Sequence, residues 1–432
     1  MSQTDRSQPP KIQPIGIFPL PTPRKSSLDN GIPIYYFENP NLDLIHLLIQ
    51  VRTGSLYQPK KHVCNFAYSL LRESSPDFSP EELAEKLDYY GTNVTTNVGM
   101  DHVQMLISIP KNNMGDILPV IARFATCPEY RTANLRIMQD KELKNLAYNE
   151  QKTDYWSWRL MWREMLRDTF PTVAEYATPS SINNITVQEL ESFHRDSFCA
   201  ENVTIYVTGN TDDTVEALIR ECWSGIPNGS RAPQLPGIHA PENQSRPICH
   251  PMPGCLQSSI VICSLSMGFN DPDRRGFSVL NTLTGGYFSS RLMQNLRERQ
   301  GLTYGISSSS TFFGNQSVFA ISSDVKAEET QRALDSCFEE LQRLQDEPVG
   351  KDELAMVKNY ITGLQLRAID TTVNIMQKFA YWLRFGLNES EMEQYLTEIK
   401  HITPEHIQHL ARKYFSYNNF TRIVVGKDLS NE

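Results

Sequence analysis

The fold of this chain is decided by a stretch that occurs twice. Residues 182 to 198 read INNITVQELESFHRDSF, and residues 399 to 415 read IKHITPEHIQHLARKYF, an offset of 217 that is 399 minus 182. The same offset takes Asn202 to Asn419 and Gly209 to Gly426. A period of this length is far beyond those of solenoid repeats, so the pattern predicts a duplicated domain.

A second pair of segments supports the duplication. YGTNVTTNVGMDHVQMLISIPK begins at Tyr90, and YGISSSSTFFGNQSVFAISSDVK begins at Tyr304, an offset of 214. Each reads as two strands and is followed by long helical stretches. The sequence therefore predicts an α+β fold of two tandem homologous domains, each a mainly antiparallel sheet covered on one face by helices.

The domain boundaries follow from a change in composition. Prolines, glycines, serines and asparagines become frequent between Trp223 and Leu256, which is typical of a linker. We predict a first domain over residues 14–224, a linker over 225–256 and a second domain over 257–428.

Local signals place several elements of the first copy. Apolar runs at residues 32–37 and 45–51 predict strands, and a helix is expected near 63–72. Ser79, followed by proline and two glutamates, predicts the capped start of a helix that ends before Gly91.

Composition narrows the class of protein. The net charge of -9 argues against a broad nucleic-acid surface, and no apolar run is long enough to span a membrane. The first residues, MSQTDRSQPPKIQP, resemble neither a secretory signal nor a transit peptide, so we expect a cytoplasmic protein. The eight cysteines lack CxxC spacing, which favours reduced, mostly buried thiols.

One stretch of the second copy has the pattern of a binding device. Residues 280 to 306 read LNTLTGGYFSSRLMQNLRERQGLTYGI. An apolar helix breaks at Gly285 and Gly286, a second helix over 291–300 follows the candidate caps Ser289 and Ser290, and Gly301 ends it. Arg297 then precedes Tyr304 by seven residues. Ordinary helix-turn-strand architecture would give the same pattern without any binding role. From its position early in the second copy, we expect the stretch to correspond to the helix near 63–72 of the first copy.

Searches for catalytic strings give little. Neither HExxH nor HxxEH occurs, although a helical zinc peptidase needs two histidines and a glutamate on one face. GxSxG, GxxxxGK[ST] and GxGxxG are absent as well, and the glycine pair Gly285-Gly286 alone is too weak to predict a phosphate site.

Taken together, the chain resembles the pitrilysin/insulinase superfamily of zinc peptidases, in its two-domain, mitochondrial-processing-peptidase-like branch. Such proteins carry HxxEH in a string like AHFLEHML, between a strand that ends in glycine and a helix like AEKLDSLGA. Here the strand ends VRTGS at residues 51–55, the later helix reads LAEKLDYYG at 83–91, and the string between them is CNFAYSLL at 64–71.

The resemblance places the metal-motif positions at Asn65, Tyr68 and Ser69. All three required residues are missing: asparagine is a weak zinc ligand, serine is not a usual one, and a phenol with a pKa near 10 cannot act as a general base at neutral pH. The third ligand of the family would fall around residues 142–150. We therefore expect no bound zinc, no other cofactor and no peptidase activity from this chain alone.

The second domain keeps more of the family pattern. The string SRLMQNLRERQGLTYG at residues 290–305 resembles SRLFQEIREKRGLAYSV, in which an arginine and a tyrosine contact the bound peptide. Arg297 and Tyr304 match that pair, so the resemblance implies a substrate-binding role for both. An arginine offers donors to peptide carbonyls, and a tyrosine hydroxyl can donate to a developing oxyanion.

These observations lead to three hypotheses. In the first, the chain is the non-catalytic partner of a heterodimeric zinc metalloendopeptidase, with zinc and general base supplied by a sister subunit that has an intact HxxEH. In the second, it is a structural or peptide-binding homolog, possibly homodimeric, without a role in catalysis. The third is an active peptidase with a rearranged site. An extended peptide is the expected ligand of the first hypothesis, with no nucleic acid and no membrane involved.

Overall fold

The fold is described from a computed structural model, which covers residues 20–241 and 246–429. Residues 14–19 of the predicted first domain and 242–245 of the predicted linker lie outside the described residues. The secondary structure alternates strands and helices in both halves of the chain, as the repeat predicts.

The first half forms a six-stranded sheet with order β1-β2-β6-β3-β5-β4. Its strands are β1 (Arg24–Ser27), β2 (Pro33–Glu38), β3 (Leu44–Val51), β4 (Asn93–Val98), β5 (Val103–Pro110) and β6 (Val203–Gly209). Its helices are α1 (Val63–Ser69), α2 (Pro80–Tyr89), α3 (Met114–Thr126), α4 (Thr132–Asn149), α5 (Thr153–Leu166), α6 (Pro171–Ala174), α7 (Pro179–Asn183), α8 (Val187–Ser197) and α9 (Asp213–Trp223).

The second half forms a five-stranded sheet with order β7-β11-β8-β10-β9. Its strands are β7 (Ile248–Pro251), β8 (Gln257–Ser266), β9 (Thr303–Phe313), β10 (Gln316–Lys326) and β11 (Thr421–Gly426). Its helices are α10 (Arg274–Asn281), the π-helical segments Thr282–Gly286 and Met293–Arg299, α11 (Thr330–Asp346), α12 (Lys351–Arg367), α13 (Thr372–Leu383), α14 (Glu391–His401) and α15 (Pro404–Tyr414).

The two sheets share one topology. Apart from β1, each strand of the first sheet has a counterpart at the same place in the second, and the only parallel pairs described are β2 with β6 and β7 with β11. The predicted α+β class, the two homologous domains and the mainly antiparallel sheets are therefore confirmed. The parallel strand β7 lies inside the range predicted as linker, so the irregular part of that range ends before Ile248.

The order of elements corrects one correspondence. Between β3 and β4 the first copy has α1 and then α2, whereas between β8 and β9 the second has α10 and then the helix that contains Arg297. The helix with Arg297 therefore corresponds to α2, and α10 corresponds to the helix near 63–72. Gly91 and Gly301 end the two corresponding helices with similar left-handed φ values, 61° and 64°.

Both domains contribute a helix to the other domain's sheet. Alternate residues of β3 and β6 point to opposite faces, and Leu48 and Tyr206 pack against Phe379 of α13. In return, Met161 of α5 packs with Val261 of β8 on the outer face of the second sheet. Each sheet is thus covered by its own helices on one face and partly by a helix from the other domain on the second, which ties the two domains together.

The cysteines are all free, and the described helices are all too short or too polar to cross a bilayer. Four of the eight thiols are buried, and Cys127 is exposed. No described helix has both the length and the hydropathy that a membrane span requires.

Candidate functional site

The predicted metal-motif positions lie on α1, and the structure separates them. Asn65 and Ser69 are one helical turn apart on the exposed side, where the Ser69 hydroxyl donates to Asn65 Oδ1 at 3.3 Å. Tyr68 points the other way and is only 1% exposed. The helix therefore presents an amide and a hydroxyl to solvent where the resemblance implies two imidazoles.

Tyr68 has become part of the core of the first domain. Its hydroxyl lies 2.8 Å from Ser197 Oγ on α8, and its ring contacts those of Phe193 and His194. Burial raises the pKa of this phenol well above its ordinary value. A group in this state is neither a base nor accessible to a substrate.

Glu142 of α4 lies at the start of α1, within the range to which the resemblance assigns a third ligand. Its Oε1 is 3.8 Å from Nδ1 of His62, which precedes α1 with a left-handed φ of 70°. The pKa of His62 is lowered to about 4, first by burial and then by the positive charges of Lys61 and Arg159. His62 Nε2 is buried without a hydrogen-bond partner in the described chain.

These residues do not fit a zinc ion. A zinc site needs three or four imidazole, thiolate or carboxylate ligands converging on one point, and Asn65, Ser69 and the inward-facing Tyr68 offer none. No group of three or more histidine, cysteine, aspartate or glutamate side chains suited to a metal occurs among the residues that the structure describes. No reaction step through zinc is therefore assigned to this chain.

The strand next to α1 is a free sheet edge. Among the residues that the structure describes, β4 is the last strand of the first sheet, pairs only with β5, and packs beside α1. Asn93, Thr95 and Asn97 alternate with more buried residues, so exposed polar side chains follow this edge, and the carbonyl of Val94 accepts from Arg72 at 3.5 Å. Such an edge can accept an extended peptide as an additional strand.

The retained pair of the second domain is on the surface. Tyr304, the second residue of β9, is 90% exposed, and the described chain offers its hydroxyl no hydrogen-bond partner. The guanidinium of Arg297 lies 4.7 Å from the ring centre of Phe288, which is itself 65% exposed. Arg297 and Tyr304 do not contact each other, so they form two separate contact points.

The surroundings of this pair differ from the sequence prediction in one respect. The hydroxyl of Ser290 is buried without a hydrogen bond, so the predicted cap by Ser290 is wrong. Glycine at 285 has a packing reason, because a Cβ there would lie 2.8 Å from the backbone nitrogen of Ser308 on β9. Gly285 thus lets the π-helical segment approach β9, whereas a Cβ at Gly286 would meet Asn281.

Some features near the site had no signal in the sequence. Nothing in the pattern of residues 58–63 indicated that Lys61 and His62 are buried beside Arg159 of α5. A helix start with two basic residues usually indicates a solvated surface. Only the packing of α5 and α6 over this segment makes them inaccessible.

Comparisons with known proteins agree with the fold. A family model described as the peptidase M16 inactive domain matches residues 184–361, beginning just before α8. An uncharacterized zinc protease of Mycobacterium bovis is 21% identical over 403 residues, which cover 91% of each chain.

Solved structures show the same fold. The peptidase M16 inactive domain from Pseudomonas fluorescens superposes with a TM-score of 0.85 at 21% identity, covering 94% of this chain and 98% of that one. A chain of complex III2 from Candida albicans superposes with a TM-score of 0.75 at 13% identity, covering 93% and 95%.

Two homologous α+β domains, with a helix beside a free sheet edge where the metal motif is lost, define a peptidase-like protein without its metal site. The comparisons support a non-catalytic member of the pitrilysin/insulinase superfamily, M16, and the family model itself matches residues 184–361.

Proposed function

We propose that this chain is the substrate-binding subunit of a heterodimeric zinc peptidase. A sister subunit with an intact HxxEH motif supplies zinc and the general base, and this chain supplies Arg297 and Tyr304 to a composite site. The expected substrate is an extended peptide.

The exposure of Tyr304 carries this proposal. A tyrosine that is 90% exposed and has no hydrogen-bond partner among the described residues contributes little to folding, so its side chain is available to another molecule. In the same domain, the half-buried Arg297 lies over the exposed ring of Phe288, and its Nε is 3.5 Å from a carboxylate oxygen of Glu298. By contrast, Asn65, Tyr68 and Ser69 retain none of the chemistry of the metal site.

The free edge of β4 supports peptide binding. Main-chain hydrogen bonds to an edge strand give affinity with little demand on the sequence of the peptide. The polar side chains of Asn93, Thr95 and Asn97 are compatible with this role, since they line the edge without covering it.

The test is peptide turnover by the complex of this chain with its sister subunit. Arg297→Ala and Tyr304→Phe are expected to lower kcat/KM by about 100-fold each, the order expected for the loss of one transition-state donor. Arg299→Ala and Tyr148→Phe are matched controls on exposed residues and are expected to leave turnover unchanged. Undiminished turnover by the Arg297 and Tyr304 variants in an intact complex would refute the proposal.

A second candidate is a structural or peptide-binding homolog, possibly homodimeric, without a role in catalysis. The similarity between the backbone of this chain and that of a chain of complex III2 favours this candidate. It predicts that no peptide cleavage depends on Arg297 or Tyr304, and that the purified chain is a dimer of itself without a sister subunit. Sedimentation analysis of the copurified complex distinguishes the two.

A further inference from the structure

A cavity of about 430 Å³ lies at the seam between the two domains, away from α1. Its floor is the outer face of β3 and β6, where Gln50 and Thr204 are neighbours in register and Arg52 follows on the same face. α13 covers this face further along but ends at Leu383, so the polar end of the sheet is left uncovered by a helix. Linker residues 231–235 and the β9–β10 turn form the walls.

Gln50, which lines this cavity, has a buried hydrogen-bond donor without a partner in the described chain. Gln50 is only 6% exposed, and its Oε1 accepts from the Tyr206 hydroxyl at 3.1 Å. Its Nε2 has no hydrogen-bond partner in the described chain. An unpaired buried donor costs stability, so its presence at a cavity wall points to an acceptor supplied by a bound molecule.

Two arginines at the same cavity are not neutralised. No carboxylate in the described parts of the chain lies within 4.0 Å of the guanidinium groups of Arg52 or Arg231. The two acidic residues that line the cavity are already engaged: Asp101 with Arg384 at 3.1 Å, and Glu201 with the backbone N–H of Gly229 at 2.6 Å. The cavity therefore has an excess of positive charge and of donors.

The rest of the lining is mixed, with the polar side chains of Asn202, Gln234 and Asn315 beside a smaller apolar and aromatic part. Leu235 comes from the linker, Phe385 from the segment after α13, and Tyr206 from β6. A volume of this size accommodates a small organic molecule. The mixture of arginines, amide side chains and a smaller apolar surface suits a molecule with a charged end and a compact apolar body.

We propose that this cavity binds a small organic anion, whose oxyanion group is held by Arg52, Arg231 and Gln50 Nε2 while its apolar part packs against Tyr206, Leu235 and Phe385. Carboxylates and phosphate monoesters share this chemistry. Arginine binds both through paired N–H groups.

Binding has a structural consequence. The cavity walls come from both domains and from the linker, so a bound anion contacts all three at once. A ligand that binds only the folded chain adds RT ln(1 + [L]/Kd) to the unfolding free energy, so the unfolding temperature rises with ligand concentration. The site therefore couples the concentration of a small anion to the stability of the seam between the domains.

The experiment uses the full chain alone and is independent of any sister subunit. Isothermal titration calorimetry with phenyl phosphate, benzoate and inorganic phosphate, at constant ionic strength, measures affinity and separates the two head groups and the apolar part. We expect one saturable site for phenyl phosphate or benzoate. Arg52→Gln and Gln50→Leu are each expected to weaken it by about tenfold or more, as the loss of a charge-assisted or buried hydrogen bond requires.

Arg52→Lys retains the positive charge but lacks the paired N–H groups of a guanidinium, and it is expected to give an intermediate affinity. Arg195→Gln, an exposed arginine on α8, is the control that leaves affinity unchanged. Circular dichroism is measured for each variant to check that it is folded. The absence of saturable binding of every probe up to about 10 mM, a concentration at which millimolar sites fill, overturns the proposal. Binding that Arg52→Gln and Gln50→Leu do not weaken overturns it equally.

Discussion

Arg384, just after the end of α13 in the second domain, lies with Nη2 3.1 Å from Oδ1 of Asp101, in the turn between β4 and β5 of the first. The same carboxylate accepts the backbone N–H of Gly314, in the β9–β10 turn, at 3.0 Å, and a ring nitrogen of His102 lies 2.9 Å away. Both charged side chains are about 12% exposed. One carboxylate thus joins a hairpin of each domain to the helix that crosses between them.

Removing one member of this pair is expected to weaken the seam strongly. Arg384→Ala leaves the buried carboxylate of Asp101 without its cation, and we expect a loss of about 3 kcal/mol in the free energy of unfolding. Urea denaturation measures it. Arg195→Ala removes an exposed pair with Asp196 and should cost less than about 0.5 kcal/mol; equal losses in the two variants would contradict the assigned role of Asp101.

The same pair gives an acid-dependent stability. Although burial raises the pKa of Asp101, the hydrogen bond from His102 and the charge of Arg384 hold it below its ordinary value overall. The unfolded chain then binds a proton at a higher pH than the folded chain. This stabilisation is complete above the ordinary aspartate pKa and is lost as pH falls through the lower folded pKa. In Asp101→Asn, the acid limb of the stability profile should be shallower than in the wild type.

Lys61 is a buried base, and it makes the stability of the chain depend on pH in the alkaline range. It is 7% exposed, its ammonium donates to the carbonyl of Val173, and burial, with the charge of Arg159, lowers its pKa to about 7. Between pH 7 and the ordinary lysine pKa, the unfolded chain is protonated and the folded chain is not, so stability rises with pH.

Lys61→Met should remove this rise, by up to about 1.4 kcal/mol per pH unit between about pH 7 and 10. The measurement is the difference in unfolding free energy between wild type and variant across that range. A difference that does not change with pH would show that the amine keeps its charge in the folded chain. Lys358→Met, at a less buried lysine whose pKa is also lowered by burial, gives a comparison.

Gly285 is expected to be intolerant of even one methyl group. A Cβ there would lie 2.7 Å from Ser308 Oγ and 2.8 Å from its backbone nitrogen, and strand β9 cannot retreat without breaking its pairing with β10. Gly285→Ala should cost about 1–3 kcal/mol of unfolding free energy. Gly363, inside α12 with open space around it, is the matched control, and Gly363→Ala should stabilise by up to about 1 kcal/mol. The prediction fails if the two substitutions have effects of the same sign.

Much of the fold could be predicted because its signals are local or repeated. Ser79 caps its helix as predicted and forms a capping box with Glu82, Gly91 ends that helix with a left-handed φ, and the repeat indicates the shared topology of the two sheets. What could not be predicted is which sheet a helix covers. The apolar residues of α13 indicate a buried face, but periodicity does not distinguish the sheet of its own domain from that of the other.

The candidate site shows the same limit. The motif positions could be located from neighbouring strings, and the exposure of Tyr304 suits its expected role. Yet the i, i+3, i+4 spacing of Asn65, Tyr68 and Ser69 does not indicate that the side chain of Tyr68 packs in the core. Nor does any string indicate the cavity at the seam, because Gln50, Arg52 and Arg231 come from distant segments and meet only after α13 has ended.

Restoring the family motif is therefore expected to damage the fold. Asn65→His and Ser69→His change two exposed positions and should alter the unfolding free energy by less than about 0.5 kcal/mol each. Tyr68→Glu places a carboxyl group where the present side chain is 1% exposed and packed on α8, and we expect it to cost about 3–5 kcal/mol.

The control for this comparison is Tyr68→Phe, which keeps the ring. Ser197 Oγ still donates to the carbonyl of Phe193 at 2.6 Å, so only the hydrogen bond from the phenol is lost, at about 1 kcal/mol. Urea denaturation and zinc content after dialysis are measured for the triple variant and for each component. A triple variant as stable as the Asn65→His/Ser69→His pair, with one zinc per chain, would contradict the inward orientation of Tyr68. Such a result would mean that the side chain at position 68 can turn outward from α1. The motif would then have been lost by residue changes alone, without repacking of the helix into the core.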